Sequence, residues 1–187
     1  MIVDLGTGDG RAACAAAARA PRALVIGLDA DAAAMAESSR RAARPPRKGG
    51  LPNALFAVAA VEAPPPELHA LADVVTVLFP WGSLLGGVLG ADERAASGLA
   101  ALARPGACIE TLVSVTSRDR VDGVPQLDDA TIPRVAAAHR RTGLELVSAA
   151  PASTEEVRFT RSSWGRRLLA SGSDRPVWRL TFRRCGT

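Results

Sequence analysis

The chain opens on a short apolar strand that runs straight into a glycine-punctuated turn, Met1-Ile2-Val3-Asp4-Leu5-Gly6-Thr7-Gly8-Asp9-Gly10. Glycines at alternating positions let the backbone bend sharply and approach a ligand closely. A strand, such a turn and then a helical pattern form the first unit of an α/β fold whose ligand sits beyond the strand's carboxyl end. Nucleotide-phosphate loops at this place usually read Gly-x-Gly-x-x-Gly. The spacing here is Gly-x-Gly-x-Gly, with Asp4 and Asp9 beside it. A loop that cradles phosphates wants few negative charges, so two carboxylates point to a cationic or hydroxyl-rich ligand instead.

The rest of the chain alternates strand and helix signals. Apolar runs at residues 2–5, 23–28, 54–59, 73–78 and 107–115 read as strands. Residues 11–19, 32–43 and 84–103 read as helices, the last broken near Gly90-Ala91-Asp92, where Asp92 can cap a restart. Residues 63–71 are rich in proline, and residues 116–129 are irregular. A helix over 131–142 stops at Gly143, and strands are expected at 144–149 and 177–182, with a short helix at 163–169 between them. Continuous apolar strands separated by helices predict a parallel, doubly wound sheet. Residues 1–187 are expected to form a single domain of seven strands.

Charge is unevenly spread over the 187 residues. Net charge is +4, with Lys48 the one lysine among 23 basic residues. Residues 158–184 hold eight arginines against a single acid, Asp174, and Arg40, Arg41, Arg44, Arg47 and Lys48 form a second basic cluster. The remaining chain carries ten basic and eighteen acidic groups. A basic tail on an acidic body suits a polyanionic partner. Cys14, Cys108 and Cys185 are widely spaced and His69 and His139 are isolated, so reduced thiols and no metal are expected. No signal peptide or spanning segment is read, which predicts a cytoplasmic protein with no membrane partner.

The opening turn resembles motif I of S-adenosylmethionine-dependent methyltransferases, in which a carboxylate faces the amino-acid end of the cofactor. Asp29 ends the second strand, where its oxygens can accept from both ribose hydroxyls. Val61-Glu62, after the third strand, lies where such folds contact the adenine. The plainer roles of Asp4 and Asp29 are as capping acids, and of Val61-Glu62 as an ordinary turn.

The fourth strand ends in Phe79-Pro80-Trp81-Gly82-Ser83. Enzymes that methylate exocyclic amines often place Asn or Asp where Phe79 stands, to accept from the amine. Phe79 cannot accept a hydrogen bond, which argues against that chemistry. Trp81, and Trp164 in the basic tail, could sandwich a planar base. Stacking is worth roughly 1–3 kcal/mol per base, comparable with the few kcal/mol needed to unstack one. Core packing is the commoner use of tryptophan; the placement of these two near the cofactor loop and the arginines favours the site.

Asp4-Leu5-Gly6-Thr7-Gly8-Asp9-Gly10, Leu28-Asp29-Ala30-Asp31, Lys48-Gly49-Gly50-Leu51-Pro52-Asn53, Pro80-Trp81-Gly82-Ser83-Leu84-Leu85, Gly87-Val88-Leu89-Gly90 and Ser163-Trp164 with Arg167-Leu168 together resemble the kanamycin–apramycin resistance 16S rRNA methyltransferases. The resemblance implies a class I, Rossmann-like methyltransferase fold with a seven-stranded, mostly parallel sheet. It implies S-adenosylmethionine as cofactor and methylation of N1 of adenine 1408 in 16S rRNA helix 44, on the 30S subunit, by a monomeric enzyme that gives aminoglycoside resistance. Asp4, Gly6, Thr7, Gly8, Asp29, Val61, Glu62, Leu78, Phe79, Pro80, Trp81, Gly82, Ser83, Ser162, Ser163 and Trp164 would form the cofactor site. Trp81 and Trp164 would also stack on the flipped adenine, which Arg175 steadies. Arg44, Arg47, Lys48, Arg166 and Arg167 would hold rRNA phosphates.

The family carries an N-terminal hairpin ahead of the first strand, and this sequence is expected to lack it. The acidic partner of the flipped base stays open among Asp119, Asp122, Asp128 and Asp129, while Arg118 and Arg120 are either rRNA contacts or solvated loop charges. Two other readings remain: a small-molecule methyltransferase, against which the basic tail argues, and a non-catalytic S-adenosylmethionine-binding protein acting at rRNA.

Overall fold

The computed structural model describes residues 1–116, 119, 127–172 and 174–186. Its elements follow the order β1 (Ile2–Leu5), α1 (Arg11–Arg19), β2 (Val25–Asp29), α2 (Ala32–Ala42), β3 (Ala54–Val58), β4 (Ala72–Leu78), α3 (Gly82–Val88), α4 (Glu93–Leu102), β5 (Ala103–Val113), α5 (Ile132–Arg140), β6 (Leu144–Pro151), α6 (Thr154–Thr160), α7 (Ser163–Ala170) and β7 (Trp178–Arg184). The strands form one sheet in the order β3-β2-β1-β4-β5-β7-β6. The first five run parallel, and β7 runs antiparallel to both β5 and β6. This is the seven-stranded, mostly parallel sheet of a class I methyltransferase.

Period-two alternation divides each strand between two faces. Ile26 and Leu28 of β2 join the larger core, with Val3, Leu5, Val75, Val77, Leu85, Leu99 and Ile109. Val25 faces the other way, into a thin layer with Ala13 and Ala17 of α1, Ala42 of α2 and Ala54 of β3. Full burial of a leucine such as Leu85 or Leu99 is worth about 1.5–3 kcal/mol, so the aliphatic face under α3 and α4 carries most of the stability. The alanine face contributes less but lets α1 and α2 lie close to the sheet.

Sequence signals set the helix boundaries. The Asp31 carboxylate accepts from the amides of Ala33 at 2.9 Å and Ala34 at 3.2 Å, capping α2. The expected helix over 84–103 divides into α3 and α4 at Gly90, and Asp92 caps the restart by accepting from Ala95 N–H at 3.0 Å.

Two expectations change. The fifth strand begins at Ala103, not at residue 107: Ala103 pairs with Ala72, and a bulge absorbs Arg104, Pro105 and Gly106 before Cys108 meets Val74. A helix not read from sequence, α6, stands between β6 and α7. Its start is a capping box, in which the Ser153 hydroxyl accepts from Glu156 N–H and the Glu156 carboxylate accepts from Ser153 N–H. Among the described residues, no helix is long and apolar enough to cross a membrane.

Candidate active site

The strand order reverses between β1 and β4. In an open parallel sheet, that switch point leaves a crevice beyond the strands' carboxyl ends. A cleft of about 290 Å³ opens there, walled by the loops after β1 (Leu5, Gly6), β2 (Asp29, Ala30), β3 (Ala59 to Glu62) and β4 (Phe79, Pro80, Trp81, Ser83, Leu84). Of the residues predicted for the cofactor, Gly6, Asp29, Val61, Glu62, Phe79, Pro80, Trp81 and Ser83 line it.

Gly6 must be glycine. Its φ is +71°, and a Cβ there would stand 2.4 Å from a methyl of Leu84. The bare backbone keeps the cleft floor open. Each Asp29 oxygen already accepts one amide: Oδ2 from Gly8 at 2.7 Å and Oδ1 from Asp31 at 2.9 Å. A carboxylate oxygen accepts about twice, so both keep capacity for hydroxyls in the cleft, while the amides fix the group's direction. Across the cleft, Val61 is set by α4. A Cβ at Gly98 would lie 1.7 Å from the Val61 carbonyl oxygen, so only glycine lets the helix close on this turn.

Asp4 does not line this cleft. Its carboxylate is 3% exposed and accepts from the hydroxyls of Thr7 at 2.6 Å and Thr76 at 2.8 Å. Burial raises its pKa, while the two hydroxyl donors pull the other way. Strand alternation explains its direction: Asp4 shares a face with Ile2, opposite Val3 and Leu5. Asp4 borders instead a larger cavity, about 450 Å³, between α1, α6 and the faces of β4, β5 and β7. No glycine turn lines that cavity, and two of its charges, Glu156 and Arg179, pair with each other at 2.6 Å. Leu78 also faces it, and Thr7 is buried against Asp4.

The remaining predicted residues frame the cleft. Ser162 caps α7, its Oγ accepting from Gly165 N–H, and Ser163 Oγ donates to Asp9 Oδ2 at 2.5 Å. Gly82 begins α3 next to Trp81. Trp164 reaches the cleft through Phe79: the two rings stack with centroids 4.9 Å apart and planes 25° apart. The Arg175 guanidinium lies 5.5 Å from the Trp164 ring and is held by Asp119, with nitrogen–oxygen distances of 2.9 and 2.6 Å. That pairing, with further donors from Thr116, holds the Asp119 carboxyl below the usual carboxylate range. Trp81 is 57% exposed at the cleft mouth, an unfavourable place for a bare indole and a suitable one for a stacking partner.

Arg44, Arg47, Lys48, Arg166 and Arg167 are all exposed. Among the described residues none of them forms an ion pair, which leaves their charge for an outside anion. Asp122, Arg118 and Arg120 lie outside the described residues. Asp128 is taken up locally, exchanging hydrogen bonds with Thr131.

The family model for the 16S rRNA (adenine(1408)-N(1))-methyltransferase NpmA matches residues 1–183. The chain belongs to this family. It is 37% identical over 193 residues to the 16S rRNA (adenine(1408)-N(1))-methyltransferase of Streptoalloteichus hindustanus, covering 97% of this chain and 86% of that protein. The enzyme of that name from Escherichia coli is 31% identical over 186 residues, 96% of this chain and 84% of the relative. Among solved structures, the 16S rRNA methyltransferase KamB superposes with a TM-score of 0.89 at 36% identity, over 99% of this chain and 87% of that one. A single-substitution variant of the Catenulisporales acidiphilia family enzyme, crystallised with cosubstrate S-adenosylmethionine, gives 0.88 at 34% identity, over 99% and 85%. The aminoglycoside resistance methyltransferase NpmB1 gives 0.80 at 37% identity, over 98% and 86%. The methyltransferase family thus shares its fold with this chain from β1 to β7.

Two residues of this methyltransferase chain were not singled out from sequence as part of the site. Asp9 counts in the sequence as one of two carboxylates that set the character of the ligand, yet in the structure it also joins the turn to α7. Gly98 lies in the middle of a helix, where its cost of about 1 kcal/mol relative to alanine is the one local sign of a close approach.

Proposed function

We propose that this enzyme transfers the methyl group of S-adenosylmethionine to N1 of adenine 1408 of 16S rRNA, at helix 44 of the 30S subunit, and so gives aminoglycoside resistance. The observation that carries this reading is the joining of one cleft to two aromatic walls. Gly6, Asp29, Val61 and Glu62 form a cofactor-sized crevice at the switch point, and Phe79 connects it to Trp164, with Trp81 at its mouth.

When bound, S-adenosylmethionine supplies an electrophilic methyl on a sulfonium. The chain's residues do the rest. Asp29 would hold the ribose hydroxyls, Val61 and Glu62 would border the adenine, and Gly6 would keep the floor clear. Asp4 acts on the turn by accepting from the Thr7 hydroxyl. Ser162 to Trp164 close the cleft, and Trp81 and Trp164 stack on the flipped base. Adenine N1 already carries a free lone pair, so attack needs no general base; alignment and desolvation carry the rate. The lack of an acceptor at Phe79 fits this ring nitrogen better than an exocyclic amine.

Arg175 steadies the flipped nucleotide. Arg44, Arg47, Lys48, Arg166 and Arg167 bind phosphates, which position the enzyme with little sequence information; the folded shape of the ribosomal site supplies the specificity. The test is transfer of labelled methyl from S-adenosylmethionine to purified 30S subunits beside a panel of small metabolites. Label in 30S subunits alone supports the reading. Label in metabolites alone identifies a small-molecule enzyme, and cofactor binding with no acceptor labelled identifies a non-catalytic protein.

A further inference from the structure

The Ser163 hydroxyl donates to Asp9 Oδ2 at 2.5 Å across 154 positions of sequence. This bond crosses between two parts of the molecule with different duties. Asp9 belongs to the turn after β1, between Gly8, whose amide fixes Asp29, and Gly10, which begins α1. The Asp9 carbonyl oxygen accepts from the Ser38 hydroxyl of α2, also at 2.5 Å, so the turn is anchored on its far side. Ser163 is the first residue of α7, and the next residue is Trp164. A continuous path results: Asp29 at the cleft, Gly8, Asp9, Ser163, Trp164, then Phe79 back at the cleft.

We infer that Asp9 and Ser163 are positioning residues that couple occupancy of the cofactor cleft to the stance of Trp164, so that cofactor and rRNA bind cooperatively. Neither residue lines the cleft; each acts through a neighbour. The sequence-local contacts of the Asp9 carboxylate are long and exposed: Oδ1 accepts from the Arg11 amide at 3.3 Å, and the Arg11 guanidinium stands 3.4 Å from Oδ2 with both groups well exposed, a geometry worth little. The short charged hydrogen bond to Ser163 is the stronger contact. A ligand that fixes Asp29 and Gly8 restrains Asp9, and through it the amino end of α7. The effect is reciprocal, because a coupling free energy acts equally on both ligands. This inference rests on the proposed function above.

The test compares the parent enzyme with Ser163→Ala, Ser163→Thr, Asp9→Ala and Asp9→Asn. Affinity for S-adenosylhomocysteine is measured by calorimetry with and without 30S subunits. In the parent, 30S subunits tighten binding by a factor in the usual allosteric range, about 5- to 150-fold. In Ser163→Ala and Asp9→Ala the enhancement by 30S subunits disappears, whatever the affinity in their absence, and kcat falls. Ser163→Thr and Asp9→Asn keep a hydroxyl donor and an oxygen acceptor and restore most of both. An unchanged enhancement in Ser163→Ala overturns the inference, as does an equal loss of affinity with and without 30S subunits.

A second readout separates this inference from the functional reading. S-adenosylhomocysteine should change the near-ultraviolet circular dichroism of the parent's tryptophans, and Ser163→Ala should suppress that change. If the parent fails to methylate 30S subunits, the functional reading falls, while the dichroism still decides the link between Asp9 and Ser163. An equal dichroism change in parent and Ser163→Ala overturns the link.

Discussion

The ring of Trp164 lies stacked on the ring of Phe79, with centroids 4.9 Å apart. Phe79 holds this place with a φ of +55°, a left-handed conformation unusual for a bulky residue. Strain of this kind costs on the order of 1–3 kcal/mol and persists where the surroundings enforce it. Here the Phe79 amide donates to the Leu112 carbonyl at 2.7 Å, and the ring packs beside Gly165.

Replacing Phe79 with leucine keeps apolar volume and removes the stack. Such pairs are worth about 0.5–1.5 kcal/mol beyond burial, so methyl transfer to 30S subunits should fall about two- to tenfold, with loss of the Trp164 near-ultraviolet dichroism. Trp164→Ala should go further, keeping cofactor binding and losing transfer. Normal transfer by Trp164→Ala would remove the stacking role.

Gly98→Ala tests how the Val61 wall of the cleft is placed. The added Cβ would need the Val61 carbonyl to move from 1.7 Å away. Overpacking of this sort costs about 1–3 kcal/mol. Urea denaturation should register that loss, and calorimetry should register weaker cofactor binding. Ser97→Ala, an exposed neighbour on the same helix, should do neither. A Gly98→Ala protein with parental stability and affinity would show that α4 does not set the turn.

Arg175 is held by Asp119 beside Trp164. Removing Arg175 as alanine deletes charged hydrogen bonds worth about 1.5–3 kcal/mol, so kcat/KM for 30S subunits should fall about ten- to 100-fold while cofactor affinity stays near the parent's. Equal losses in both would place Arg175 away from the nucleotide. The same pair has a pH signature. Because pairing lowers the Asp119 pKa, its stabilisation is present above the unfolded value near 3.9 and is lost as pH falls through the folded one. Asp119→Asn should therefore lose less stability than the parent as pH falls below about 4.

His139 sets the mildly acidic limit. It is fully buried, its Nε2 lies 2.8 Å from the Val88 carbonyl oxygen, and its ring packs on Phe182 at 4.4 Å. Burial lowers its pKa, so the folded protein takes up this proton less readily than the unfolded chain. The associated stability is present above about pH 6.5, the unfolded value, and is lost as pH falls from there toward the folded pKa. Tm should drop over that window, and His139→Gln, which retains an N–H for Val88, should flatten the drop. A parent Tm constant between pH 7 and 5 would contradict this.

Local pattern carried much of this structure. The Val- and Ile-rich runs of β1, β2 and β4 are legible because strands buried on both faces must be continuously apolar, and Asp31 and Asp92 mark helix starts because free amides need acceptors. The cleft residues at Gly6, Asp29 and Val61-Glu62 were legible for a related reason, since loops after parallel strands converge at the switch point. The missing parts depend on contacts distant in sequence. Helix α6 is seven residues long and rests on its capping box and its packing on α1 and α7, without an apolar repeat. The early start of β5 depends on a bulge set by its pairing with Ala72. Asp4's direction follows from strand alternation, but its two hydroxyl partners come from the turn and from β4. The bond from Ser163 to Asp9 leaves no sequence trace at all.

On the proposed function, the cleft and its aromatic walls deliver a methyl group to adenine N1 on the 30S subunit. Methylation there blocks Watson–Crick pairing, so reverse transcriptase copying 16S rRNA should halt beside adenine 1408 after incubation of 30S subunits with enzyme and S-adenosylmethionine, and should read through when cofactor is omitted. Read-through with enzyme and cofactor both present, alongside an active family member that does produce the stop, would contradict it.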